Sequence, residues 1–341
     1  MAAVNINNTD NIEEAAPGIF RIRVPLPNNP LKELNAWFLE GESSGGGRNL
    51  LIDTGFNRPE CEDALKGGLE ALGAKLEATD IFITHLHADH CGLMKKMSTP
   101  GMAVYCSKAD GDIINAATES VYWENLDEVF VSYGYPVAAK RQNIEKHPGW
   151  KYNVREKVEF TPVDEGFTID VGEYSLRCVW TPGHTPGQMC LYDEEKKFFF
   201  CADHILADIT PNITIEQGMD DPLHLYLNSL KKVEGLDVRK VFPGHRNPPD
   251  SIKGRIDELY RHHLDRLSEI ISILGESTMT AYEVAAQMEW DIKFDNWEAF
   301  PSTQKWFATG EAIAHLQYLY YEGKVSKFLL DGIWRYSNVS G

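Results

Sequence analysis

Apolar and polar positions along the chain fall into short strand-like runs, broken by turns and by a few longer helical stretches. Residues 18–24, Gly-Ile-Phe-Arg-Ile-Arg-Val, alternate and predict a first strand. Residues 35–40 and 49–52 predict two more. Between them, residues 42–48 are rich in Ser and Gly; no helix follows the glycines, so a hairpin turn is preferred to a phosphate-binding loop. Residues 58–76 predict a helix. Apolar runs then recur at residues 81–83, 174–180, 198–202 and 241–243, each running into turn residues. Strand and helix patterns alternate, which predicts an α/β class with a mixed sheet. Residues 1–16 are polar and are expected to be loose.

Helical patterns at residues 109–116 and 121–126 lie within a longer stretch, 107–150, which reads as a helical, aromatic-rich insertion. Tyr122, Trp123, Phe130, Tyr133 and Tyr135 cluster there. Such aromatics either line or lid a pocket or form the core of a helical cap, and both readings stay open. Pro248-Pro249-Asp250 marks a boundary, which divides the chain into residues 1–250 and 251–341. Residues 252–274 predict one long helix. Its neighbours His262 and His263 would point about 100° apart, which favours surface or capping roles over joint chelation. A threonine-capped helix over residues 278–285, a helix over 310–325 ending at Gly323, and a hairpin around Asp331-Gly332 complete the tail.

The densest chemistry follows the apolar run at residues 81–83. Thr84-His85-Leu86-His87-Ala88-Asp89-His90 packs imidazoles and a carboxylate, the ligand types of zinc, iron and manganese sites, into one turn. His184 follows the run ending at Trp180, within Thr181-Pro182-Gly183-His184-Thr185-Pro186-Gly187. Asp203 follows residues 198–202, and His245 follows Pro243-Gly244. Each therefore comes from a strand end beside a turn signal. Several strands of one scaffold would deliver these groups to a common edge, where rigid elements position them well.

These motifs, in this order over roughly residues 18–250, resemble the metallo-β-lactamase superfamily, with Leu51-Ile52-Asp53-Thr54-Gly55 similar to its Asp-bearing strand. The resemblance implies a four-layer αββα sandwich with two divalent metal ions at one edge of the sheets. One metal would take His85, His87 and His184. The second would take Asp89, His90 and His245. Asp203 would bridge them, and Asp53 would steady a ligand histidine. Zinc is the expected metal, with iron and manganese as alternatives for the same ligand types. An acid at the bridging position argues against β-lactam hydrolysis and is similar to the glyoxalase II-like branch. A Pro-Asn segment there matches Pro211-Asn212, where Asn212 either donates a hydrogen bond to substrate or serves a turn. The helix–helix–hairpin tail resembles a winged-helix-like module found in one branch. The implied activity is hydrolysis by a metal-bridging hydroxide, with Asp89 as the catalytic carboxylate that orients it. A thioester, ester or lactone of a small apolar or aromatic acyl compound is the expected substrate. The alternative is a metal-dependent endoribonuclease or phosphodiesterase.

Composition narrows the partners. The 341 residues carry a formal net charge of −18, with 43% hydrophobic and 25% charged residues, ordinary for a soluble globular protein. That charge disfavours nucleic acid and anionic membranes. Residues 312–321 of the tail contain no Lys or Arg, so a groove-reading role is not expected there. The module is expected to wall a pocket or to form a homodimer surface. The start of the chain lacks a basic segment followed by an apolar one, and no run is long enough to span a bilayer. The six cysteines form no Cys-x-x-Cys pair and read as reduced thiols with packing roles. A cytoplasmic enzyme acting on a small molecule is the resulting expectation.

Overall fold

A computed structural model describes residues 11–41, 47–137, 144–291 and 296–339. Residues 42–46 of the expected hairpin turn at residues 42–48 lie outside them. Seven strands form the first sheet in the order β1 to β7: β1 Ile12–Ala16, β2 Ile19–Pro25, β3 Glu33–Leu39, β4 Asn49–Ile52, β5 Thr79–Phe82, β6 Val104–Ser107 and β7 Thr161–Val163. The second sheet runs β12-β11-β10-β9-β8, from β8 Thr168–Val171, β9 Tyr174–Trp180, β10 Met189–Asp193, β11 Phe198–Ala202 and β12 Lys240–Pro243. Residues 12–16 are thus not loose. They pair antiparallel with β2, although Ile-Glu-Glu-Ala-Ala shows no alternation.

Period-two burial explains the layers. In β3, Trp37 and Leu39 point into the layer between the sheets, whereas Leu34, Ala36 and Phe38 point to the outer helices. In β10, Met189 and Leu191 face the first sheet while Cys190 and Tyr192 face outward. Both faces are covered, so these strands read as nearly continuous apolar runs. Helices α1 Pro59–Ala71, α2 Ala88–Cys91, α3 Met94–Met97 and α4 Lys108–Ala116 cover the first sheet with a shared core. Across the second sheet lie α5 Ser120–Ser132 and α7 Pro222–Glu234, with α6 Pro148–Tyr152 between them in the chain. The result is a mixed α/β sandwich with helices on both outer faces.

The C-terminal helices join that last core layer. They are α8 Ile252–Leu274, α9 Ala281–Ala285 and α10 Ser302–Tyr321, followed by the hairpin β13 Val325–Leu330 and β14 Ile333–Asn338. Thr280 caps α9 in a reciprocal capping box with Glu283. Asp331 and Gly332 both take positive φ in the hairpin turn, at 51° and 78°. Helix α10 starts at Ser302, eight residues before the expected start at Gly310. His263 is buried rather than superficial: its Nδ1 lies 3.1 Å from Nε2 of His315 on α10. Among the described residues no helix is long and apolar enough to cross a membrane.

The aromatic stretch after β6 does both jobs left open by the sequence. Tyr122 and Trp123 line a cavity. Tyr133 and Tyr135 belong to the core shared with the C-terminal helices, and the Tyr135 hydroxyl donates to the Ser302 carbonyl at 3.0 Å. Phe130 serves both, stacking on Trp306 of α10 with centroids 3.7 Å apart.

Candidate metal centre

Strand direction brings the candidate residues together. Strands β4 and β5 run parallel, so Asp53, Thr84 and His85 leave the same end of the first sheet. In the second sheet β11 and β12 are parallel, and β9 runs the same way because β9 and β11 each pair antiparallel with β10. His184, Asp203 and His245 therefore follow three co-directed strand ends. Cross-sheet bonds hold the two edges together: Asn35 Nδ2 and Trp37 Nε1 each donate to the Pro243 carbonyl at 3.1 Å. A Cβ at Gly244 would stand 2.6 Å from Asp203 Oδ1 and 3.0 Å from His90 Cε1, so only glycine leaves room there.

All seven predicted residues converge. Ligand atoms of His85, His87 and His184 lie within 4.8 Å of one another, as do those of Asp89, His90 and His245. Asp203 stands between the groups. Its Oδ1 is 3.4 Å from His90 Nε2 and 3.6 Å from His245 Nε2, and its Oδ2 is 4.0 Å from His184 Nε2. His245 Nε2 is also 3.4 Å from Asp89 Oδ2, and His85 Nε2 is 3.1 Å from His87 Nδ1.

The far side of each ring sets its tautomer. His184 Nδ1–H donates to the Asn212 carbonyl and His245 Nδ1–H to the Glu33 carbonyl, both at 2.7 Å. His90 Nδ1 meets Asp53 Oδ2 at 2.7 Å. The Thr84 hydroxyl donates to that same oxygen at 2.8 Å and accepts from His85 Nδ1 at 3.0 Å. With Nδ1 engaged by these partners, each Nε2 points to the centre, where its lone pair would serve a cation once any proton on it is displaced. The Nε2 atoms of His90, His184 and His245, and Oδ1 of Asp203, are buried with no hydrogen-bond partner. Buried polar atoms are normally satisfied. Four orphans facing one space, all of types that bind divalent cations, fit a metal cluster.

Charge supports that fit. Burial and neighbouring imidazoles hold His85 well below the usual histidine range, and burial with His184 brings His87 down to about 3. Both rings are thus neutral near pH 7. Burial opposes charge on His90 too, but Asp53 and Asp203 overcome it and raise the ring well above its ordinary value. Burial raises Asp89, yet the neighbouring His245 and His90 rings win and bring it down to about 2. The carboxylates are ionised and draw positive charge into the centre.

One important residue lacked a sequence motif. Asp110, fully buried on α4, accepts from Leu86 N at 2.9 Å, Thr185 Oγ1 at 2.7 Å and Gly187 N at 2.7 Å. It thereby ties the loop between His85 and His87 to the loop carrying His184. Burial outweighs these three bonds and pushes its carboxyl up to about 6. Asn212 lies at the site as expected, but its backbone carbonyl holds His184. His204 is buried and His147 half-buried, and neither belongs to these groups; His147 Nδ1 accepts from Gly149 N at the start of α6.

A cavity of about 660 Å³ opens onto His87, Asp89, His184 and Asp203. Its walls include Tyr122, Trp123, Trp306 and Phe307, and, among the described residues, Glu216 and Glu311 are the carboxyl groups away from the metal cluster. The Tyr122 hydroxyl donates to Glu216 at 3.2 Å, and burial pushes Glu216 up to about 7 against that bond.

Known proteins resemble this chain in sequence and fold. The metallo-β-lactamase superfamily profile matches residues 33–245, and a metallo-β-lactamase-like C-terminal domain profile matches residues 267–339. A beta-lactamase-like protein 2 homolog from Caenorhabditis elegans is 27% identical over 83% of this chain and 80% of its own. A human acyl-coenzyme A thioesterase, MBLAC2, is 26% identical over 62% of this chain and 73% of its own. The crystal structure of a metallo-beta-lactamase family protein from Thermus thermophilus superposes with a TM-score of 0.79 and 27% identity, covering 96% of this chain and all of that one. With its sandwich, its ordered His/Asp groups suited to metal-dependent hydrolysis, and a profile match over most of its length, the chain belongs to the metallo-β-lactamase superfamily.

Proposed function

We propose that this protein is a dinuclear metal-dependent acyl hydrolase, acting on a thioester, ester or lactone with an apolar or aromatic acyl group. The observation that carries this reading is the set of orphaned buried nitrogens and the Asp203 oxygen, facing one space at the floor of an aromatic-walled cavity. His85, His87 and His184 are assigned to one cation, Asp89, His90 and His245 to the other, and Asp203 to both. Zinc is the proposed metal. Two such cations supply Lewis acidity and an acidified water at neutral pH. Asp89 is the proposed catalytic carboxylate: it lines the cavity and orients the attacking water with an oxygen lone pair. Tyr122, Trp123, Trp306 and Phe307 bind the acyl group and exclude bulk water from the reacting carbonyl. The thioesterase among the relatives supports the thioester as the first substrate class to assay.

The test is hydrolysis by metal-analysed protein of acyl-CoA thioesters, lactones, bis-p-nitrophenyl phosphate and single-stranded RNA. Turnover of acyl compounds, lost in folded His87→Ala and Asp203→Ala variants, is expected. Cleavage of the phosphodiesters alone would replace this reading with a nuclease, and full activity in both variants would end the dinuclear mechanism.

A further inference from the structure

Between Asp203 and α7 the chain has neither helix nor strand, yet burial alternates along residues 212–216. Ile213 and Ile215 are buried in the core of the second sheet, whereas Asn212, Thr214 and Glu216 are half-buried and line the cavity. The Glu216 carbonyl accepts from Met219 N at 3.1 Å, a turn that fixes the residue at the cavity wall. Tyr122 of α5 meets it there, its hydroxyl donating to Glu216 Oε2 at 3.2 Å. Tyr122 packs edge-on against Trp123 with centroids 5.3 Å apart, and Trp123 Nε1 donates to the Ala117 carbonyl at 2.8 Å. Both members of the pair are therefore held in place by their own elements.

The other carboxylates of the cavity have cationic or imidazole neighbours. Asp89 and Asp203 face ligand histidines, and Glu311 Oε1 lies 3.5 Å from Arg266 Nε. Glu216 differs. Among the described residues the Tyr122 hydroxyl is the one donor to its carboxyl, and neither Lys146 nor Lys151 of the same lining forms an ion pair with it. A carboxylate offers about four lone-pair sites, so most of its accepting capacity is unused at the cavity wall. A purely apolar ligand would strip water from this group and return nothing, which is unfavourable. A ligand with a donor at that point would satisfy it.

We infer that Glu216, steadied by Tyr122, is a specificity-determining residue: the acyl group seated among Trp123, Trp306 and Phe307 carries a hydroxyl or amine that donates to it. The inference rests on the acyl-hydrolase reading of this cavity and narrows its substrate class. A site built to hydrogen-bond a donor rejects the analogue that lacks one, because its own polar group is then left unpaired. The carboxyl is half-buried, so a preference of about ten- to hundredfold is expected.

The experiment compares phenylpropanoyl thioesters bearing a ring hydroxyl, amine or methyl group at the meta or para position, where the two-carbon spacer insulates the reacting carbonyl from ring electronics. Calorimetric binding of the matching free acids to the full-length protein reads the same preference without turnover. Wild type should favour a hydroxyl or amine over methyl by about ten- to hundredfold in kcat/KM and in affinity. Glu216→Met, which keeps volume but offers no oxygen, should lose that preference and accept the methyl compounds better than wild type does. Glu216→Gln keeps an acceptor and should retain part of it. Equal treatment of hydroxyl, amine and methyl compounds by wild type would overturn the inference even if all are hydrolysed, as would an undiminished preference in Glu216→Met. Donor-selective binding that Glu216→Met abolishes, with no thioester hydrolysed, would uphold the inference and overturn the hydrolase reading instead.

Discussion

Asp53 Oδ2 lies 2.7 Å from His90 Nδ1, and it accepts the Thr84 hydroxyl that in turn holds His85. One carboxylate therefore orients a histidine in each of the two ligand groups. Asp53 adopts φ 63°, a left-handed conformation that a non-glycine residue holds only when its surroundings impose it. Asp53→Ala is expected to weaken zinc retention by about 10–100-fold at both positions. Chelator competition checks this, and a loss confined to one position would show that the Thr84 relay contributes nothing.

Asp110 joins the loops of His85–His87 and His184 through three buried hydrogen bonds. Asp110→Ala leaves three donors without an acceptor, each costing about 1–3 kcal/mol when buried. A loss of at least about 3 kcal/mol in urea unfolding is expected, together with a fall in kcat. Asp110→Asn should rescue part of this, because its amide oxygen can still accept from Leu86 N and Thr185 Oγ1 while its NH2 group would face Gly187 N.

Glu216 gives the cavity a pH response. Its carboxyl is raised to about 7, so the neutral form is the favoured one. The associated stability is fully present below the ordinary carboxyl value and is lost as pH rises through about 7. Binding of apolar acyl groups should follow the same sign. KM is expected to rise above about pH 7 in wild type and to stay flat in Glu216→Gln. An identical KM profile in both proteins would remove Glu216 from substrate binding.

Thiol chemistry should be silent in the native state. All six cysteines are free and buried, and burial pushes Cys61 up to about 11 and Cys178 and Cys190 up to about 12. An aromatic disulfide reagent at about pH 8 should label none before denaturation and all six afterwards. Rapid native labelling of Cys91 or Cys201, beside the metal groups, would contradict the packing described.

The convergence of the seven candidate residues was legible because each sits shortly past an apolar strand and beside a turn, so chain order alone implied a shared edge. Partners acting through the backbone were not. Any residue at position 33 or 212 would offer a carbonyl, so nothing in the identity of Glu33 or Asn212 signals its role. Asp110 was hidden for another reason. Ser107-x-x-Asp110 is a helix-start pattern, and Ser107 does cap α4, which gives the aspartate a local explanation while its side chain works at long range. The buried His263–His315 pair joins two helices far apart in sequence, which local periodicity does not report. The early start of α10 follows the same logic, since Trp306 and Ala308 are helical and buried against the core of the second sheet.

The two sheets meet at the metal groups as two edges of a seam. His85 and His90 come from one side, and His184, Asp203 and His245 from the other. Cations held there are cross-links between separate halves of the sandwich as well as reagents. Binding to the folded chain alone adds about 2.7 kcal/mol of stability when free metal exceeds its dissociation constant about a hundredfold. On the proposed metal assignment, the folded fraction of this protein would be a gauge of metal supply: starvation for metal would act on the lifetime of the molecule, by parting the seam, and not only on its turnover.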